Sequence, residues 1–242
     1  MINQYMNKIN DLLAVVEKEE HDVMNQAAQK VAEAIQSDGV IHLFGCGHSH
    51  ILTEEVYYRA GGLVPIHPIL HEPLMLHEGA VRSSQFERKN DYAKTFMDDQ
   101  DIRQGDVIFV ISTSGRNPVP VDVAEIAKKK GAFVIGMTSI EYSSSQPSRH
   151  HNGKHLYEAV DLVIDNHAPI GDALLTHENV KVSFSPSSTV IGSTILNAIL
   201  AESIAIMAEN NFDPPVFLSG NIEGADEHNQ QLIEKYRDRV KL

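Results

Sequence analysis

VIFVISTSGRNPVPV, residues 107–121, is the stretch whose reading decides the fold. Residues 107–111 are all apolar, Ser112, Thr113, Ser114 and Gly115 follow, and Asn117-Pro118 opens a new segment. A short apolar run bounded by small residues reads as a strand buried on both faces. Proline fits the first turn of a helix, where its missing N–H costs nothing. A helix is therefore expected from about Pro118 to Lys130, ended by Gly131, with AFVIGM (132–137) as the next strand.

The same unit recurs upstream. VIHLF (40–44) reads as a strand, GCGHSH as a small-residue junction, and about Ser49 to Ala60 as a helix. Gly61-Gly62 closes that helix, and VPIHPIL (64–70) is a strand whose prolines favour an edge. Before this unit, Ile9, Leu13, Val16, Val23, Ala27, Val31 and Ile35 predict one long amphipathic helix to about Gln36, stopped by Ser37-Asp38-Gly39. Residues 71–104 are polar and read as a loop with short helices, one around Asp91 to Met97. Downstream, 142–154 reads as a loop, AVDLVID (159–165) as a strand, and SPSS (185–188) leads into a long apolar helix. The tail from Pro214-Pro215 reads as a loop and a charged helix beginning near Asp226. Strands alternating with helices imply a three-layer, doubly wound parallel α/β sheet of flavodoxin or Rossmann type. One domain is expected over residues 1–242, with an N-terminal helix in 1–38 and a tail at 214–242.

Composition narrows the function. A net charge of −13 leaves no basic stripe for nucleic acid. Cys46 is the only cysteine, so no intramolecular disulfide can form and a reducing cytosol is expected. The N-terminus has no basic segment followed by an apolar one, so no signal peptide is read there. The apolar stretch 189–208 is interrupted by Asn197 and Glu202 and reads as a core helix, not a membrane span.

In a parallel sheet, ligands bind where strands end and helices begin. Three such junctions are rich in small residues: GCGHS (45–49), STSG (112–115) and SPSST (185–189). Free N–H groups at helix starts, supplemented by hydroxyls, would form a phosphate cradle that needs no lysine. Serine before a helix also serves as a plain N-cap; three junctions together favour the cradle. Competing motifs fail: there is no P-loop, GHSHI breaks the nucleophile elbow, and His50 stands where a dinucleotide fingerprint needs glycine. A nucleotide-binding enzyme, with Glu72 on the ribose, survives only as a weaker alternative. The His71-Glu72 and His77-Glu78 pairs fit no strong metal-ligand pattern and read as a solvated loop; no metal and no cofactor stand among the expectations.

VIFVISTSGRNPVPVDVAEIAKKKGAFVIGMTS resembles the signature of the sugar isomerase (SIS) domain, and FGCGHSHILTEEVYYRAGG resembles that domain's first phosphate-side loop and helix. The likeness runs from about Gly39 to Asn210. The layout resembles phosphoheptose isomerases and an SIS branch with the pattern S-R-H-x-x-G-K-x-L, then D-x-V-I-D, met here at 148–156 and 161–165. The resemblance implies a phosphosugar held by Ser112, Thr113, Ser114 and Gly115, completed by Ser187, Ser188 and Thr189, with Asn117 added and Gly47 and Ser49 lining the sugar side. It also implies a homodimer or homotetramer.

Reaction type transfers less well than binding. Isomerisation needs a base that moves a proton between adjacent carbons and an acid near the carbonyl oxygen. In phosphoheptose isomerases the carboxylate sits on the helix after the first loop; here that position falls near Arg59, with Glu54 and Glu55 a turn earlier. Their final-helix histidine has no counterpart in TVIGSTILNAILAES. Glu55, with His48 and His50, is the catalytic set favoured by the sequence. A non-catalytic phosphosugar sensor and a sugar-phosphate lyase are the alternatives.

Overall fold

The computed structural model describes residues 1–242. Five strands form a parallel sheet: β1 (Ile41–Gly45), β2 (Ile66–Pro68), β3 (Val107–Ile111), β4 (Phe133–Thr138) and β5 (Leu162–Asp165), in the order β2-β1-β3-β4-β5. The proline-bearing β2 lies at an edge, as expected. Side chains alternate between two cores, as the strand period requires. Val107, Phe109 and Ile111 enter one core, while Ile108 and Val110 enter the other.

The first core is covered by helices α1 (Ile2–Glu19), α2 (His21–Gln36), α3 (Ser49–Glu55) and α8 (Ser188–Glu209). The second is covered by α4 (Ala80–Glu87), α5 (Lys94–Met97) and α6 (Pro118–Lys129). Helix α8 buries Ile191, Ile195, Leu196, Ile199 and Met207 in the first core, which explains its apolar sequence. The tail carries α9 (Ala225–Tyr236), and Phe217, Tyr236 and Val240 seal a small cluster on Val40 and Val64.

Four expectations are corrected. The N-terminal helix is two helices, broken at Glu20 (φ −104°, ψ 0°), whose carboxylate accepts the Asp165 N–H at 3.1 Å and lies 3.1 Å from His167 Nε2. The helix after β1 stops at Glu55 rather than Ala60, because Tyr58 takes a positive φ of 46°. Residues 140–144 form a short helix, α7, where a loop was read. An antiparallel hairpin, β6 (Leu175–His177) with β7 (Val180–Phe184), stands outside the main sheet where nothing was read.

Candidate functional site

The C-terminal ends of β1 and β3 are neighbours, so their loops share one edge of the sheet. Residues 112–117 turn there with Gly115 at φ 57°, its N–H donating to the Ser112 carbonyl at 3.0 Å. A Cβ on Gly115 would come within 2.6 Å of Thr138 Oγ1. The protein takes up each carbonyl from 113 to 116. Thr113 O accepts from the Ser139 N–H (3.0 Å) and Thr138 Oγ1 (3.2 Å), and Ser114 O from Ser143 Oγ (2.8 Å). Gly115 O accepts from the Leu156 N–H and Arg116 O from the Arg149 N–H, each at 2.8 Å. In contrast, the N–H groups of Thr113, Ser114, Arg116 and Asn117, and the hydroxyls of Ser112 and Ser114, donate to nothing within the chain. Carbonyls turned into the protein and N–H groups turned out make an anion-binding concavity at the start of α6.

The segment SRHHNGKHL (148–156) builds the outer wall of this loop. His150, fully buried, places Nε2 2.9 Å from Asp122 Oδ1 on α6, and Asn152 Oδ1 lies 2.6 Å from its Nδ1. Ser148 Oγ donates to Lys154 O at 2.6 Å, and Gly153 turns the chain at φ 80°. So anchored, the segment delivers Arg149, whose Nη1 donates to Asn117 Oδ1 at 2.8 Å.

The first loop contributes differently. Gly45 lets α3 approach, since a Cβ there would meet the Ser49 backbone at 2.6 Å. Gly47 (φ 57°) donates its N–H to Leu74 O at 3.0 Å, His48 is exposed, and Ser49 is half-buried. His50 is buried, with Nδ1 on Gly47 O and Nε2 3.5 Å from Glu54. Glu55, the base favoured by the sequence, is turned away from the loop. It is paired with Arg59 and lies 3.5 Å from the Asn197 side-chain amide on α8. Glu54 is thus the carboxylate of α3 that faces an imidazole.

At the third junction, Ser187 and Ser188 are already engaged. Asp172 Oδ1 accepts from the Ser187 N–H and Oγ (each 2.9 Å) and from the Ser188 N–H (3.0 Å), and its Oδ2 accepts from Ser188 Oγ (2.6 Å). The N-terminus of α8 therefore has an internal anion, and Ser187 is wholly buried. Of this junction Ser185 and Thr189, both half-buried, keep hydroxyls without a partner in the chain. The structure places the first and second junctions at one edge of the sheet and caps the third with Asp172.

Sequence reasoning missed Glu87, the last residue of α4 and half-buried beside the first and second loops. Burial pushes its carboxyl pKa up, while the Asn117 side chain, Arg88 and Arg149 pull it back. Burial also raises the Cys46 thiol, and Glu87 nearby adds to the rise. No motif announces Glu87, because it stands in the polar stretch between β2 and β3. A separate cavity of about 550 Å³ lies at the other side of the molecule, between β2 and the tail. It holds His42, whose Nε2 is 3.1 Å from the buried Asp106, and Arg239, which donates to the same carboxylate at 2.7 Å. That cavity shares no residue with the two loops.

A parallel sheet with this strand order and a serine-lined turn after its central strand is an architecture of the SIS type. The SIS domain model matches residues 4–139, and the chain belongs to that family. Within it, the chain is similar over its whole length to the UPF0309 proteins. It is 65% identical over 242 residues to UPF0309 protein BH0227 of Halalkalibacterium halodurans, covering 100% of this chain and 97% of the relative. With the UPF0309 protein of Geobacillus thermodenitrificans it shares 66% over 240 residues, covering 99% and 96%. The fold also matches phosphoheptose isomerase GmhA from Neisseria gonorrhoeae, with a TM-score of 0.54 at 15% identity over 86% of this chain and 97% of that one. A third likeness is to the Vibrio vulnificus NanR protein complexed with ManNAc-6P, with a TM-score of 0.51 at 13% identity over 100% of this chain and 70% of that one.

Proposed function

We propose that this protein binds a sugar phosphate, with the phosphate in the 112–117 turn, and isomerises it by moving a proton between adjacent carbons. The observation that carries the reading is the one-sided wiring of that turn, with the carbonyls of 113–116 bonded inward while four of its six N–H groups and two hydroxyls have no partner in the chain. Membership of the SIS family, and structural likeness to a phosphoheptose isomerase and to a protein complexed with ManNAc-6P, support the ligand class. For the proton transfer, Glu87 is the group the environment prepares, since a carboxyl raised by burial holds and releases a proton closer to neutrality. His48, exposed on the first loop, is the partner acid, and His50 with Glu54 shapes that loop. The setting is a cytosolic homo-oligomer, consistent with the acidic charge and with Ile2 and Met6 exposed on α1. A second reading, a non-catalytic sensor with the same cradle, is favoured by one observation: Glu55 is committed to Arg59.

Thermal shift with hexose, heptose and amino-sugar phosphates against nucleotides tests the binding reading, since a native-state ligand raises the melting temperature. Stabilisation by sugar phosphates is expected; stabilisation by nucleotides alone would sink it. With the best binder, exchange of the C2 proton into deuterated water, followed by NMR, separates the two readings. Exchange lost in Glu87→Gln supports the isomerase. Its absence from the native protein leaves the sensor.

A further inference from the structure

Acidic residues outnumber basic ones by 33 to 20 in this chain. Arg59, Arg103 and Arg239 each have a carboxylate partner. Arg88, Arg116 and Arg149 have none within ion-pairing distance, although the chain offers an excess of carboxylates. These three are also neighbours. Arg149 donates its N–H to the Arg116 carbonyl, and burial lowers its guanidinium pKa, with Arg116 and Arg88 lowering it further. Glu87 and Tyr142 act the other way on Arg149, but burial and the two neighbouring arginines outweigh them, and a bound anion would relieve the remaining cost.

Both guanidiniums at the turn are held in place through one donor each. Arg116 donates Nε to Pro147 O at 3.1 Å, which leaves the Nη1–Nη2 end of its fork free. Arg149 donates Nη1 to Asn117 Oδ1, which leaves the Nε–Nη2 edge free. Each free edge presents two parallel N–H groups, the geometry that matches the two oxygens of a carboxylate. The open N–H groups and hydroxyls of 112–117 offer a phosphate donors of their own, apart from these two guanidinium edges.

We propose that Arg116 and Arg149 form a second anion subsite beside the phosphate turn, and that the ligand is a phosphorylated sugar acid whose carboxylate they hold. The proposal rests on the sugar-phosphate binding reading and narrows its ligand class; the 6-phosphohexonates that test it have no aldehyde or ketone carbonyl to isomerise and serve as binding probes. It also gives SRHHNGKHL a purpose: the buried His150–Asp122 pair fixes the loop that carries Arg149.

The test is calorimetric titration with matched pairs of aldohexose 6-phosphates and 6-phosphohexonates across the hexose epimers. The best phosphohexonate should bind about tenfold tighter than its phosphoaldose, the gain of one charge-assisted bidentate contact. In Arg116→Gln and Arg149→Gln the ratio should fall toward one with the phosphoaldose affinity nearly unchanged. In Ser114→Ala both ligands should weaken together and the ratio should persist. A ratio near one in the native protein, or arginine variants that weaken both ligands equally, would overturn the proposal and assign the arginines to the phosphate. If no sugar phosphate binds at all, the sugar-phosphate reading fails first, a result distinct from binding without preference. Both variants keep the Arg149 N–H to Arg116 O bond, so the turn itself is retained.

Discussion

Two serine-rich turns stand before helices in this molecule, and in sequence they look alike. At residues 112–117 the chain spends its own hydrogen bonds on the carbonyls and leaves four N–H groups and two hydroxyls open. At Ser187–Ser188 it brings a carboxylate, Asp172, to the donors and closes them. A small-residue junction thus keeps open donors or becomes a structural cap according to whether an internal anion reaches it. That anion lies 15 residues upstream of Ser187, on a strained residue with φ 51°.

The sharpest way to break this comparison is Gly115→Ala. A positive φ and a steric conflict with Thr138 Oγ1 should cost about 1–3 kcal/mol of stability in urea unfolding and abolish phosphate-ester binding. Normal stability with normal binding would show that the turn is not the rigid element described. Next in size, Ser114→Ala should weaken a sugar phosphate by about tenfold in calorimetry, while Ser188→Ala should leave its affinity unchanged. Equal losses would mean that Asp172 yields its place to the ligand.

Asp172→Ala should lower stability by about 1 kcal/mol, as loss of an N-cap does, without improving phosphate affinity. Improved affinity would make the second turn a site plugged by its own chain. The smallest effect concerns pH. Burial raises Glu87, so the folded chain holds that proton above the ordinary carboxylate range and loses stability as pH rises through the raised value. Glu87→Gln should flatten that segment of the stability–pH curve. An unchanged curve would remove Glu87 from the list of prepared groups.

Much of the fold was legible because strand burial writes itself into composition. VIHLF, VIFVI and AFVIGM are buried along nearly their whole length, and the sheet has them side by side with the half-buried edge strand in DLVID. The donor-rich turn at 112–117 was legible because its small residues are contiguous. The rest depends on contacts distant in sequence. Arg149 reaches a residue 33 positions before it through the Arg116 carbonyl, and Glu87 approaches Asn117 from a helix in a polar stretch. The break at Glu20 was hidden because the apolar spacing of Val16 and Val23 continues across it; its cause is a carboxylate bonded to the end of β5. The hairpin was hidden because β7 is mostly exposed and so leaves no buried pattern.

The four carbonyls at 113–116 have one more consequence. Each is held by a different partner, namely the start of α7, the Thr138–Ser143 hydroxyl pair, Leu156 and Arg149, so no peptide in the turn can rotate alone. Such a turn has already lost its conformational freedom during folding and surrenders little more when an anion arrives. Its amides should therefore show the same fast-timescale order parameters before and after phosphate binds, with the entropy of ordering falling on the ligand alone.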